Sequence, residues 1–482
     1  MGPRVRVDHH GVHAWVCAAL LAATGVCSVA RPALAHVTRV PATSGAAAAA
    51  AAAAMPGDTL LLERGVHAGP LLLRQPVVLR GAPGAIVDGG HHGSVIAIGA
   101  SGCVVTDLRV RASGNRVLTV DSGIHVAGAG SVRIERVRMD DVLYAVYGER
   151  AEGLIVRQCR LSGRVPPLAE LGDGNGIHLW YSGNALIDQD TLSGFVDAVY
   201  LSFANGAVVS GSTFERNGRY GLHTMYCQDN HLIGNLFTHN IAGIAIMFSN
   251  HLEVAGNRIV HNRGSRTYGL LLRDCSDGHF VNNQLIDNTI AVFLDGSNRN
   301  HITGNLVEDN GWGVLLFSSC DGNVFAGNDF IQNDYAVALD MRRTDNAFDD
   351  GAHGNYWSDA QVWDLDGYGT GDIPYGPVSA FAFVSKQYPD LSVLAKSPAV
   401  AALGVAERVF PSLHPSEAVD RYPRVSPVTR AVKNANSLPT PRPSWGAFTV
   451  FGLVAGSGLF AARGGRRPRN GVVARPRTDA SS

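Results

Sequence analysis

Gly221-Leu222-His223-Thr224, Gly243-Ile244-Ala245-Ile246 and Gly269-Leu270-Leu271-Leu272 are one short phrase written three times. A small residue comes first, aliphatic residues mostly hold the second and fourth places, and the third varies. Strand side chains alternate between faces. The second and fourth positions therefore point inward, and the third and fifth outward. The phrase also occurs upstream as Gly123-Ile124-His125-Val126, Ala145-Val146-Tyr147-Gly148, Gly176-Ile177-His178-Leu179 and Ala198-Val199-Tyr200-Leu201, and downstream as Gly313-Val314-Leu315-Leu316.

Asparagines recur in step with it. Asn217, Asn240, Asn262, Asn288, Asn310 and Asn333 are 23, 22, 26, 22 and 23 residues apart. Asn235, Asn257, Asn283, Asn305 and Asn328 follow with gaps of 22, 26, 22 and 23. Two series that share one insertion mark the coil of a solenoid. Stacked amides can hydrogen-bond along the stack. No stretch here sustains a helical period, and in-register series argue against a sandwich. The expectation is an all-β chain, a right-handed parallel β-helix over residues 36–350.

The ends read differently. Arg4 and Arg6, the apolar run Ala14 to Ala30, and Ala33-Leu34-Ala35 make residues 1–35 a secretory signal peptide, with the mature chain starting at His36. Nine alanines, residues 46–54, predict a helical cap on the first coil. Residues 351–400 are expected to cap the far end, where Asn355-Tyr356-Trp357 brings aromatic area onto the open core. Residues 401–444, rich in Pro and Ser, read as a linker. Residues 445–462 carry no charge, and Arg463, Arg466, Arg467 and Arg469 follow. That pattern is a candidate membrane anchor with its basic end, the tail 463–482, in the cytoplasm.

The formal net charge is −1, which gives no whole-chain attraction to nucleic acid. The three lysines, Lys386, Lys396 and Lys433, all come late, so no lysine base serves the repeat region. Five cysteines follow the signal segment: Cys103, Cys159, Cys227, Cys275 and Cys320. Cys227 and Cys275 share a column two coils apart, roughly 9.6 Å at ~4.8 Å per strand. That exceeds the disulfide limit of about 7 Å, so no bond between them is expected.

His223, Met225 and Cys227 lie at i, i+2 and i+4. If the strand stays regular, all three point outward. Met247 stands in the column of Met225, one coil later. Imidazole, thioether and thiolate together suit Cu(I) better than Ca²⁺ or Mg²⁺; the alternative is that the methionines pack under a loop or partner. His178 is too far to share that ion and could line a groove with Tyr200. His279 with His301, and His239 with His261, align on successive coils. Asp364, Asp366 and Asp372, around Gly367, resemble part of a calcium loop; the alternative is a carboxylate-capped turn.

A rival function is sugar chemistry: a polysaccharide lyase, epimerase or glycosidase on acidic glycans. It needs paired carboxyls in one cleft. The candidates are Asp295 with Asp340, separated by Phe317, and Asp173 with Asp188 or Asp190.

Several strings resemble one family, the NosD proteins of nitrous oxide reductase maturation. They are Pro56-Gly57-Asp58-Thr59-Leu60 with Asp88-Gly89-Gly90, Tyr220-Gly221-Leu222-His223-Thr224-Met225-Tyr226, Ile246-Met247-Phe248-Ser249, Tyr268-Gly269-Leu270-Leu271-Leu272 with Asp274-Cys275, and Gly354-Asn355-Tyr356-Trp357-Ser358-Asp359. Ala360 stands where the family tends to carry an aromatic residue. The resemblance covers roughly Pro56 to Val400. It implies a periplasmic β-helix that handles copper or sulfur for the copper–sulfur centre of nitrous oxide reductase. Its implied partners are an ABC transporter permease and ATPase, a copper-carrying lipoprotein and nitrous oxide reductase itself. The implied role is that of a maturation factor, not a catalyst.

Overall fold

The computed structural model describes residues 36–165, 173–388, 391, 394, 397–409 and 416–428. The signal segment 1–35, the anchor 445–462 and the tail 463–482 lie outside the described residues. Among the described residues no helix is long and apolar enough to cross a membrane.

Each coil contributes three short strands, and nearly every strand pairs in parallel with its counterparts one coil before and after. The result is three sheets of 13, 12 and 13 strands, the parallel β-helix that the repeat predicts. Alternation decides the interior. On the second sheet Ile177, Val199, Leu222, Ile244, Leu270, Val292 and Val314 stand in register, one per coil. All are 2% exposed or less. Each such side chain contributes about 1.5–3 kcal/mol by leaving water.

The asparagine series are the polar counterpart. Asn257 Oδ1 accepts from Asn235 N at 2.9 Å and from Asn235 Nδ2 at 3.0 Å, while Asn257 Nδ2 donates to Leu232 O at 2.7 Å. The pattern runs from Asn235 to Asn355, and a second series runs from Asn217 to Asn333. A third joins Asn300, Asn323 and Asn346. A neutral side chain that both donates and accepts satisfies both neighbours of such a rung. Asn257→Ala would leave the Asn235 amide and the Leu232 carbonyl buried without partners. It is expected to cost about 2–4 kcal/mol, measured by urea unfolding.

Below Asn235 the first series changes chemistry. Ser212 N donates to Asn235 Oδ1, Asp190 N to Ser212 Oγ, and Cys159 N to Asp190 Oδ1 at 2.6 Å. Asp190 is 1% exposed and its Oδ2 has no partner. Burial pushes its carboxyl up to about 7.

Helix α1 (Ala46–Ala53) closes the first coil, with Ala47 and Ala51 turned to the core. At the far end the pair Tyr356–Trp357 still joins the third sheet. The Trp357 ring stacks on Phe330 at 4.4 Å and is 1% exposed. Helices α2 (Ala380–Gln387) and α3 (Pro398–Val409) follow. The linker expected at 401–444 needs correction for the part described. Residues 416–428 return to the body as a strap. Asp420 accepts from Trp357 Nε1 at 2.8 Å and Asn355 N at 2.7 Å. Arg421 grips Asp349, and Arg424 reaches Asp329 at 2.6 Å. The strap supplies partners for the unpaired edge of the last coil, and its Pro/Ser content hid that role.

Asp190 makes stability depend on pH. Its folded pKa lies above the unfolded value of about 3.9, so the folded chain holds the proton longer. The stability of the neutral rung is full below about pH 4 and is lost progressively as pH rises to about 7. Asp190→Asn should remove this slope, stabilising the chain by at most roughly 4 kcal/mol at pH 8 and much less near pH 4. Thermal melts of both proteins across that range test it.

Candidate metal centre on the outer face of the second sheet

The third position of the repeated phrase forms an outward column on the second sheet. His125, Tyr147, His178, Tyr200 and His223 occupy five successive rungs. Neighbouring rings lie 5.4, 4.8, 4.7 and 4.6 Å apart. The groove expected from His178 and Tyr200 is part of this longer row. Burial in it lowers the His178 imidazole to about 4, so that ring is neutral near pH 7.

His223 ends the row and is 6% exposed. Tyr200 stacks on one side at an interplanar angle of 24°, and Tyr220 meets it edge-on at 5.2 Å. His223 Nδ1 lies 3.1 Å from Asp197 Oδ2. Asp197 is fully buried and clamped by Arg219, with bonds of 2.9 and 2.6 Å. Burial alone would raise the Asp197 carboxyl; hydrogen bonds from His223 and Arg219 outweigh that and hold it below the usual range. An ionised carboxylate only accepts, so the proton sits on Nδ1 of His223. Nε2 then carries the lone pair in the neutral ring. Nε2 is buried and has no hydrogen-bond partner. A carboxylate behind an imidazole is the arrangement that orients metal-binding histidines.

Met225 and Met247 are directly paired on adjacent strands, both half-buried. Tyr200 Oη lies 3.4 Å from Met225 Sδ. Met247 also packs on an outer apolar cluster of Ala242, Ala245, Leu271, Ile290 and Phe293. One imidazole nitrogen and two thioethers are thus offered by adjacent rungs, a donor set that fits Cu(I).

The expectation that Cys227 points outward is overturned. The strand Tyr220–Met225 ends before it, and Tyr226 takes a left-handed φ of 56°. The turn sends Cys227 into the core, where it is 0% exposed and its Sγ lies 3.5 Å from Leu201 O. Burial raises its thiol pKa.

One feature escaped the pattern of the phrase. Tyr181, Phe203, Tyr226 and Phe248 occupy the turn after the strands, with φ of 48, 51, 56 and 50°. Their rings stack at 4.7, 5.0 and 5.0 Å, beside the methionines. All four are exposed. Counting two residues past the fourth position of each phrase would have found the stripe.

The other candidates fall elsewhere. His279 and His301 are in register on the first sheet with rings 5.3 Å apart, and the rings of His239 and His261 are 5.6 Å apart. Asp364, Asp366 and Asp372 converge, with carboxylate oxygens within 4.8 Å of one another. All three receive main-chain N–H groups: Asp364 from Gly367, Asp366 from Tyr368 and Asp372 from Leu365. Those bonds fit a capped turn. Among the carboxyls weighed for sugar chemistry, Asp188 pairs with Arg157, Asp190 fills its ladder rung, and Asp295 accepts from Ser319.

The fold is a parallel β-solenoid, and one outer face of it carries an imidazole and two thioethers on neighbouring strands. Residues 164–362 match the family model described as periplasmic copper-binding protein (NosD). The "Probable ABC transporter binding protein NosD" of Pseudomonas aeruginosa is 31% identical over 387 residues, covering 75% of this chain and 87% of that protein. The protein of the same name from Stutzerimonas stutzeri is 31% identical over 133 residues, 28% of this chain and 30% of that one. The A-module of the Azotobacter vinelandii mannuronan C-5 epimerase AlgE6 aligns at 18% identity and a TM-score of 0.46, over 63% of this chain and 92% of that one. The chain belongs to the NosD family of periplasmic copper-binding proteins.

All five described cysteines are free and buried. Burial pushes Cys159 and Cys275 up to about 12. The folded chain from His36 onward should therefore resist a thiol-exchange dye at pH 8, and denaturant should expose its five thiols. Fast labelling of Cys227 in the folded protein would restore it as an outward ligand.

Proposed function

We propose that this protein receives Cu(I) as cargo at His223, Met225 and Met247 and passes it on during maturation of nitrous oxide reductase. The observation that carries the reading is the buried Nε2 of His223, unpartnered, held through Asp197 and Arg219, with the register-paired Met225 and Met247 further along the same pair of strands. Cu(I) accepts low coordination and prefers soft donors, so one imidazole and two thioethers complete a sphere. The solenoid contributes rigidity. Adjacent rungs hold the donors at strand spacing, and long-range pairing keeps that spacing when the ion leaves.

Two relatives are named as ABC transporter binding proteins, which supports the same association here. In that arrangement an ABC permease and its ATPase act from the membrane, a copper-carrying lipoprotein delivers the ion, and the reductase receives it. The exposed aromatic stripe beside Met225 and Met247 suits a face on which a protein partner docks.

The test is Cu(I) binding to the mature chain, by anaerobic competition with a chromogenic chelator. One equivalent is expected, with affinity falling at least about tenfold for Met225→Ala with Met247→Ala, and likewise for His223→Ala. Unchanged affinity in both would dismiss this site. The same substitutions should lower the copper content of nitrous oxide reductase made in cells.

A further inference from the structure

We propose that Tyr200 gates the copper site, its phenol holding the Met225 thioether until the arriving ion displaces it. The proposal rests on the copper reading above and adds a regulatory residue to it. Three observations meet at Tyr200. Its hydroxyl donates to Met225 Sδ at 3.4 Å. Its ring covers the His223 imidazole at 4.6 Å and 24°. It sits between His178 and His223 in the outward column, so ring contacts from both sides fix its orientation. One side chain thus engages a lone pair of one ligand and shields the face of another.

A thioether sulfur is a weak acceptor with two lone pairs. The hydroxyl aims one of them at Tyr200 and so sets the rotamer of Met225. For Met225 to turn toward Nε2 of His223, the hydroxyl must let go. A second acceptor stands ready. Ser202 lies two residues beyond Tyr200 on the same strand and one rung below Met225, and its hydroxyl is the acceptor assigned to the phenol in the open arrangement. Release from sulfur costs about the worth of one hydrogen bond, which the arriving ion has to offset. The element has two arrangements: sulfur held and site closed, or serine held and site open. Such an exchange lowers affinity for a stray ion and lets a docked partner that moves Tyr200 change the affinity again. Arg219 keeps Asp197 fixed throughout, so His223 is the constant ligand and Met225 the variable one.

Tyr200→Phe keeps the stacked ring and deletes only the hydroxyl. Anaerobic chelator competition on the mature chain should give Cu(I) binding about three- to tenfold tighter than wild type, the worth of one hydrogen bond. In a Met225→Leu background the same substitution should bring no gain, since the held sulfur is gone. A second readout uses methyl-labelled methionine, of which the mature chain has five, with Ag(I) as a redox-silent stand-in. The Met225 methyl signal should shift on Tyr200→Phe alone, and should move at lower Ag(I) in the variant. The five buried thiols must stay unreactive to a thiol-exchange dye in the variant, which separates this gain from cysteines exposed by a loosened fold. Equal or weaker binding in Tyr200→Phe, with wild-type binding still lost in Met225→Ala/Met247→Ala, would overturn the gate and leave the copper reading standing. No binding by either protein would overturn both.

Discussion

An amide that donates and accepts at once, repeated once per coil, is the interaction on which this molecule depends. A parallel solenoid pairs its strands easily, but each turn between strands leaves main-chain groups facing the interior. The asparagine series satisfy them, coil to coil, without burying a charge. Because each Asn bonds both neighbours, a shift of one coil would break two rungs. The ladders therefore lock register as well as stability. Everything on the outer faces inherits that register: the His–Tyr column, the Met225–Met247 pair and the aromatic stripe exist as rows because the interior keeps count.

The candidate site joins a fixed histidine to two adaptable side chains. His223 is tied from behind by Asp197 and Arg219 and cannot wander. The methionines sit at the boundary between the His–Tyr half of the sheet and its apolar half, where Met247 already touches the outer cluster. Thioether side chains are flexible and unbranched, so they supply the adaptability that the backbone lacks.

Much of the fold could be read without coordinates, because repetition amplifies weak local signals. No single Asn is informative, but eleven of them in two series with one shared insertion are. The inward and outward assignment of His223 and Met225 followed from alternation alone. Alternation also explains the failure at Cys227. The rule holds only while the strand lasts, and the left-handed Tyr226 ends it one residue too soon. The role of Asp197 was hidden for a different reason. It stands just before its phrase, at a position that packs on the preceding and following coils, and its partners Arg219 and His223 lie 22 and 26 residues away. Contacts of that kind leave no local pattern. Likewise nothing in a Pro/Ser-rich stretch announces that Asp420 will cap Trp357.

The aromatic stripe carries a consequence of its own. Bulky residues rarely adopt positive φ, and here four do so on four consecutive coils. Glycine, aspartate and arginine hold the same turn elsewhere, at Gly128, Asp274, Gly296 and Arg150, so the geometry does not demand rings. The rings stack face to face and turn their edges to water. The four rings form a rib about 14 Å long at ~4.8 Å per rung. The rib leans on the strand ends that carry Met225 and Met247, each the residue just before a ring. The exposed rings at the turn and the thioethers on the strand are thus immediate neighbours in sequence.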